Sequence, residues 1–302
     1  MNLMKKKELA ATILCFSVAV IWGLGYVFIP MALNCNLAPS LINVIRFGGA
    51  MLFYGAIFWK KIKIDKSSVF YGSLSGICLF GAFILLTMAQ QYTTPSKTAF
   101  LQSLCTILIP FLSWIFIKRK PSPFIFLSVA LYFAGIYLLC GGEEKTNFNV
   151  GDLMALSSAM CFAFQFIVVS KGLKKTDNFS INLVQFAVSA LLFSVYYALF
   201  ESAAYNDVRI NWTEALLPLA GLTLLNTLYA YGVQTYAQIY LIDYKISLIT
   251  STENIWAVLV SVSLGFEQLR LNTILGGAII LLAILSAETL PKFINHLKYK
   301  KR

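Results

Sequence analysis

Two ionisable residues lie inside long apolar stretches of this sequence. Glu253 belongs to the stretch from Lys245 to Glu267, KISLITSTENIWAVLVSVSLGFE, and Arg46 follows Pro39 in another apolar stretch. About 20 apolar residues are enough to cross a bilayer. With a rise of about 1.5 Å per residue, each ionisable group lies roughly 10 Å below a membrane surface, one near each face. Charged groups are costly at that depth, so a functional role is considered for both.

The chemistry open to these two residues differs. Glu253 could carry a proton, because burial favours its neutral form and contact with water favours its charged form. Alternatively, it is a structural carboxyl group that hydrogen-bonds its helix to neighbouring helices. Arg46 could hold an anionic group of a substrate, or it could snorkel outward or bond to backbone carbonyls. Because the two residues approach from opposite faces, we do not predict an ion pair between them.

Polar side chains recur at helical spacing on four stretches, one of which holds Glu253, and these form two pairs related in sequence. Polar groups in hydrocarbon must face protein or water. Interhelical hydrogen bonds would explain any single stripe, but four stripes together favour a shared polar cavity. The residues predicted to form this path are Glu253, Asn254, Thr250, Arg46, Trp22, Gln90, Gln102, Thr106, Asn226, Gln234 and Gln238.

The composition is that of a membrane protein. The 302 residues are 59% hydrophobic and only 12% charged, whereas soluble domains are typically about 25% charged. We predict an all-α polytopic protein of the cell membrane, whose first span is an uncleaved insertion signal. Its ten transmembrane helices are placed at about 10–33, 40–59, 68–90, 98–117, 123–141, 152–170, 179–200, 214–236, 246–266 and 272–290.

The positive charge predicts an orientation. If the N-terminus is cytoplasmic, most of the 24 lysines and arginines fall in cytoplasmic loops and the C-terminal tail. The outer loops keep only Lys97, Lys145, Arg209 and Arg270. By the positive-inside rule, both termini are therefore predicted to be cytoplasmic. The net charge of +11 is then a topology signal, and no nucleic-acid partner is predicted.

Catalysis and metal binding have little support in the sequence. All of the 6 cysteines except Cys35 fall in apolar runs, no CxxC occurs, and the one histidine, His296, lies in the basic tail. No GxxxxGK[ST] motif for ATP binding is present. We predict no enzymatic activity, no metal and no cofactor. The expected partners are the lipid bilayer and a small-molecule substrate, and a homodimer is left open.

The two halves of the chain resemble each other. The stretch from Lys97 to Arg119, KTAFLQSLCTILIPFLSWIFIKR, aligns with the stretch that holds Glu253. Each is preceded by Ala-Gln-x-Tyr, beginning at Ala89 and at Ala237. Farther upstream, Phe47 and Phe186 align as well.

A duplication of this kind predicts inverted repeats. The first repeat is placed at residues 1–146 and the second at 147–302, with five spans in each. Since five is odd, the second copy enters the membrane from the opposite side. This plan is common among secondary transporters, whose substrate sites lie near the midplane between the repeats.

Short motifs spread over essentially the whole chain match the pattern of a known family. They are Ile21-Trp22-Gly23, Arg46-Phe47, Ala89-Gln90-Gln91-Tyr92-Thr93, Glu253-Asn254, Leu264-Gly265-Phe266-Glu267 and Gly276-Gly277. With these motifs the chain resembles the drug/metabolite transporter superfamily, specifically its EamA-type ten-helix permeases. The resemblance implies two inverted five-helix halves, a central path and a peripheral last helix in each half. It also implies movement of small metabolites, often amino acids or related compounds, commonly outward.

The sequence departs from the family pattern in three places. Asn254 stands where the family usually has proline, which weakens the expectation of a helix break in span nine. Thr106 stands at the matching position of span four, where Pro110 follows one turn later and is predicted to kink the helix. Arg119 stands where the first half usually repeats a loop glutamate.

The sequence therefore predicts a secondary transporter, an exporter of small metabolites such as amino acids that works by alternating access. The alternatives are a proton-independent facilitator or exchanger and, with less support, a membrane-embedded enzyme or scaffold. Aromatic residues near the predicted path would suit an apolar or aromatic substrate, although aromatics are 15% of the chain and many must serve packing. They are Trp22, Tyr26, Tyr229, Tyr231 and Trp256.

Overall fold

The computed structural model describes residues 3–118, 125–140, 148–241 and 243–300. For residues 3, 4, 117, 140, 243, 244 and 287–300 it describes the backbone alone. Arg119, Lys145 and the predicted boundary between residues 146 and 147 lie outside the described residues. So do the side chains of Cys140 and His296.

Within these ranges the regular structure is helical, and the predicted all-α fold is confirmed. Two π-helical segments, Tyr197–Glu201 and Gly221–Tyr229, interrupt the α-helices. The α-helices are α1 (Leu3–Asn34), α2 (Pro39–Phe58), α3 (Lys66–Ala89), α4 (Pro95–Gln102), α5 (Leu104–Ile117), α6 (Ile125–Cys140), α7 (Val150–Gly172), α8 (Asn178–Tyr196), α9 (Ser202–Tyr205), α10 (Trp212–Ala220), α11 (Ala230–Tyr240), α12 (Asp243–Thr250), α13 (Glu253–Ser263) and α14 (Leu271–Lys300).

Helices occur at all ten predicted spans, and the chain is an integral, multi-pass membrane protein. Ile125–Leu139 and Leu271–Ser286 are shorter apolar segments, and the second is the first part of α14, which continues to Lys300. The 8 segments in the described chain that are long and apolar enough to cross a membrane are Lys5–Asn34, Pro39–Phe58, Lys66–Ala89, Pro95–Phe116, Val150–Gly172, Asn178–Tyr205, Trp212–Tyr240 and Lys245–Ser263.

Polar caps in the short loops set where the helices begin. Asp65 accepts a hydrogen bond from the Ser68 backbone N–H at 2.7 Å, and the Ser68 hydroxyl oxygen accepts one from the Asp65 N–H at 2.9 Å. This capping box satisfies backbone groups that the first turn of α3 leaves open. The hydrogen bond from the Ser68 N–H is the main cause of a lowered pKa of the Asp65 carboxyl group. Asn149 and Asp152 form a second capping box at the start of α7.

Small residues allow the helices to approach closely. A Cβ added to Gly72 would lie 2.6 Å from the Cβ of Val184, and one added to Gly76 would lie 2.8 Å from the Cβ of Val188. The Gly-x-x-x-Gly spacing in α3 thus brings that helix directly against α8. In the same way, α6 and α14 pack chiefly against each other.

Two of the ten spans are broken within their first halves. Span four divides at Ser103 into α4 and α5, and span nine divides after Thr250 into α12 and α13. From the sequence, Asn254 in place of proline makes a helix break in span nine less expected. That inference was wrong, since the break forms without a proline. Tight i→i+3 hydrogen bonds, such as Thr252 N–H to Ile249 C=O at 3.2 Å, close the turn there. The helix α5 continues through Pro110, and the break in span four lies nearer its start.

Candidate functional site

A cavity of about 110 Å³ lies where both broken helices meet the rest of the bundle. Its wall includes Ser103 from the break in span four and Ser251 from the break in span nine. Sites for drug-sized ligands enclose about 300–1,000 Å³, so this cavity suits a small compound. The predicted path residues that line it are Trp22, Arg46, Gln102, Thr106, Asn226, Gln234, Thr250 and Glu253.

Three predicted path residues do not line the cavity. Asn254 is fully buried, because a step of about 100° around the helix turns it away from the side that holds Glu253. Gln90 is buried at the C-terminal end of α3. Gln238 lies outside the lining, and its amide donates to the Phe166 carbonyl at 3.4 Å.

Glu253 is the first residue of α13 and faces the cavity. The break after Thr250 exposes the N-terminal end of this helix, whose dipole favours a carboxylate. The Tyr26 hydroxyl group is close enough to interact electrostatically with the Glu253 carboxyl group. Glu253 forms no ion pair within the described part of the chain.

Arg46 lies on another part of the same wall and is only 2% exposed. Its Nε donates to the Thr227 hydroxyl oxygen at 2.5 Å. Its guanidinium carbon lies 4.1 Å from the centre of the Phe83 ring and 5.6 Å from that of Phe47. In the described ranges no carboxylate lies within ion-pair distance of Arg46.

Two tyrosines connect the regions around the two ionisable groups. Tyr26 and Tyr231 both line the cavity, and each is close enough to interact electrostatically with both Arg46 and Glu253. The cavity therefore offers a cation, a carboxyl group and hydroxyl groups within apolar walls. Of the five aromatic residues expected near the path, Tyr229 and Trp256 do not line the cavity.

Three other polar residues of the wall are held by hydrogen bonds within the protein. Asn226 joins the π-helical segment to α1. Its side-chain amide donates to the Ile21 carbonyl, and its backbone carbonyl accepts from Trp22 Nε1 at 3.2 Å. The Thr250 hydroxyl donates to the Ile246 carbonyl at 3.0 Å. Gln102 accepts from the Ser158 hydroxyl at 3.0 Å. These contacts fix the shape of the wall.

Sequence reasoning missed Gln165, which lines the cavity from α7. Its amide donates to the Gln185 side-chain oxygen at 3.3 Å and to the Ser75 hydroxyl oxygen at 3.4 Å. The available signal was a glutamine inside an otherwise apolar run. Among the described residues, no group of three or more His, Cys, Asp or Glu side chains could hold a metal ion.

The comparisons with known proteins decide the family. The model of the EamA-like transporter family matches residues 9–141 and again residues 149–287. The chain belongs to the EamA-like transporter family. This family is part of the drug/metabolite transporter superfamily, so the resemblance drawn from the sequence motifs is confirmed. The protein is a membrane transporter of a small-molecule substrate and not an enzyme.

Two curated relatives agree with this assignment, and a solved structure has a similar fold. An uncharacterized transporter from Archaeoglobus fulgidus is 28% identical over 289 residues, which cover 92% of this chain and 86% of the relative. A second uncharacterized transporter from the same organism is 28% identical over 228 residues, covering 72% and 76%. One protein crystal structure is 17% identical in sequence, and the match covers 93% of this chain and 96% of the chain in that structure. Its TM-score of 0.71 shows a similar fold and nothing more.

Proposed function

We propose that the protein is a secondary transporter that exports small metabolites, such as amino acids or related compounds, by alternating access. The observation that carries this proposal is that residues from both halves of the chain line the same cavity. Trp22, Arg46 and Gln102 reach it from the first half, and Asn226 and Glu253 reach it from the second. A cavity between two halves can open to either side as one half moves against the other.

The proposal includes two inverted repeats, residues 1–146 and 147–302. Support comes from the family model, which matches once within each half. Further support comes from Phe47 and Phe186, which align between the halves and pack together with ring centres 6.3 Å apart. The five-span repeat reverses direction in its second copy, and the distribution of lysine and arginine favours cytoplasmic termini.

Glu253 is the proposed coupling residue. It faces the cavity without an ion-pair partner in the described chain, so a proton or a cationic group of a substrate could neutralise it there. If its role is limited to the contact with Tyr26, the protein works as a facilitator or exchanger and needs no proton gradient.

Counterflow in proteoliposomes tests the proposal. The purified protein, reconstituted in proteoliposomes, is tested with a panel of amino acids and small organic cations. Transport is measured with and without a pH gradient, and wild type is compared with Glu253→Gln. We expect a substrate of wild type to be driven by the gradient, and the variant to lose that drive. The matched control is Glu214→Gln, because Glu214 is an exposed carboxylate at the start of α10.

Each outcome separates the alternatives. Counterflow that persists in Glu253→Gln, with no effect of the gradient in either protein, identifies a facilitator or exchanger with a structural Glu253. Loss of gradient drive in Glu214→Gln as well would show a general effect of removing a carboxylate. Absence of movement of every compound by folded wild-type protein would contradict the proposed substrate class.

A further inference from the structure

We propose that Thr227 is a positioning residue that aims the free edge of Arg46 into the cavity, where the guanidinium group receives a carboxylate of the substrate. This inference rests on the proposed transport function and names the chemical group that the site would recognise. It depends on the local backbone of span eight, on the contacts of Arg46, and on the lack of a carboxylate beside Arg46 in the described part of the chain.

The π-helical segment Gly221–Tyr229 places the Thr227 hydroxyl group. That hydroxyl donates to the Leu222 carbonyl at 2.8 Å, a residue five positions earlier in the chain. Its hydrogen is thereby engaged, and the oxygen is left to accept from another donor. Arg46 Nε supplies the donor at 2.5 Å. The direction of this hydrogen bond is therefore fixed by the backbone of the π-helical segment.

The remaining contacts of Arg46 hold the plane of its guanidinium group. The group lies over the Phe83 ring, with the guanidinium carbon 4.1 Å from the ring centre. With Nε held by Thr227 and a face covered by Phe83, the Nη1 and Nη2 amino groups are left without an acceptor in the part of the chain that the structure describes. Arg46 lines the cavity, so these amino groups supply its contact with a ligand.

The ligand chemistry follows from charge and shape. A buried arginine without a counter-ion is costly, and an anion that enters the cavity removes that cost. The paired amino groups match the two oxygens of a carboxylate, which they bind in a bidentate manner. An inorganic anion such as chloride offers the same charge without two oxygens, so the test includes it as a separate arm.

Binding to the purified, detergent-solubilised protein tests the inference without requiring transport. The probes are alanine, leucine and phenylalanine, their carboxamides, and sodium chloride, each titrated while the melting temperature is recorded. We expect at least one acid to stabilise wild type, and its amide and chloride to give no stabilisation. In Thr227→Val, which keeps the side-chain shape but removes the hydroxyl, we expect the Kd of that acid to rise at least about tenfold.

Two variants separate positioning from folding. Thr227→Ser retains a hydroxyl and should restore the Kd to within about threefold of wild type. Thr223→Val makes the same change in the same π-helical segment, at a threonine that packs on Gly49, and should leave the Kd unchanged. In proteoliposomes, Thr227→Val should raise KM and spare kcat.

The outcomes that overturn the inference are distinct. They are no stabilisation by any of the acids, equal binding of acids and amides, competition by chloride at the same site, or an unchanged Kd in Thr227→Val. If the acids bind as expected but none is transported, the carboxylate receptor stands and the proposed transport function fails.

Discussion

Two buried cationic side chains of this protein, Lys97 and Arg46, have different surroundings. The Lys97 ammonium group lies 2.7 Å from a carboxylate oxygen of Asp152, and both side chains are buried. Arg46 is equally buried, but its partners in the described chain are a hydroxyl group and aromatic rings. The first charge is neutralised within the protein and the second is available to a ligand. We therefore assign a structural role to the first and a binding role to the second.

The structural role of the ion pair predicts a stability effect. Asp152→Asn removes the charge that faces Lys97 and leaves a buried cation. We therefore expect the free energy of unfolding to fall by about 3 kcal/mol. The measurement is thermal or denaturant unfolding of the purified protein. The double variant Lys97→Gln, Asp152→Asn replaces the ion pair with two neutral amides and should be more stable than Asp152→Asn alone. If the double variant is the less stable of the two, the buried charge is not the cause.

The contact between α3 and α8 predicts the effect of added side-chain volume at the scale of elements. In Gly76→Val, the new atoms would meet the Cβ of Val188 at 2.8 Å and the Gln185 carbonyl at 2.9 Å. We expect the free energy of unfolding to fall by about 1–3 kcal/mol, because the added atoms overpack the contact. The measurement is the unfolding midpoint in detergent.

The chain offers a matched control for that prediction. An added Cβ at Gly48 meets nothing within 4 Å, so Gly48→Ala should be neutral or slightly stabilising, because alanine favours a helix more than glycine does. Equal destabilisation by the two substitutions would show that loss of glycine, and not the α3–α8 contact, is responsible.

The sequence predicted the positions of the helices well and their interruptions poorly. Length and apolar composition determine where a span occurs, and all ten predicted spans coincide with helices. The break after Thr250 and the π-helical segment Gly221–Tyr229 depend on contacts with neighbouring helices, which a single sequence does not display. For example, a Cβ on Gly25 would meet the side chain of Asn226, so the π-helical segment packs against a helix from far along the chain.

The same limit applies to the candidate site. Polar type and helical spacing identified Arg46 and Glu253 as wall residues, because a membrane span has few reasons to contain them. Helical spacing did not show that Asn254 turns away from the cavity, since the break at the start of α13 resets the direction of that face. Nor could it show that Thr227 lies behind Arg46, because that contact joins span two to span eight.

At the scale of the whole molecule, the last helices of the two predicted halves, α6 and α14, pack chiefly on each other, while both broken spans line the cavity. This arrangement separates elements that enclose the site from elements that do not. It is consistent with the expected peripheral position of the last helix in each half. The orientation of the bundle in the membrane remains a prediction from charge.

That orientation can be tested at two exposed loop residues. Lys61 lies in the loop after α2, on the side predicted to be cytoplasmic, and Arg209 lies in the loop before α10, on the side predicted to be external. Each is replaced by cysteine, separately, in a background without the six native cysteines. In intact cells, a membrane-impermeant maleimide should label the Arg209→Cys variant, and it should label the Lys61→Cys variant only after the membrane is permeabilised.

The reason is that translocation of basic loops across the membrane is disfavoured, and the loop that holds Lys61 is rich in lysine. Because the two variants share one background and one reagent, each controls for the expression and reactivity of the other. Labelling of only the Lys61→Cys variant in intact cells would reverse the assignment and place both termini outside the cell. Labelling of both would show that the chain inserts in two orientations, as a weak charge bias would permit.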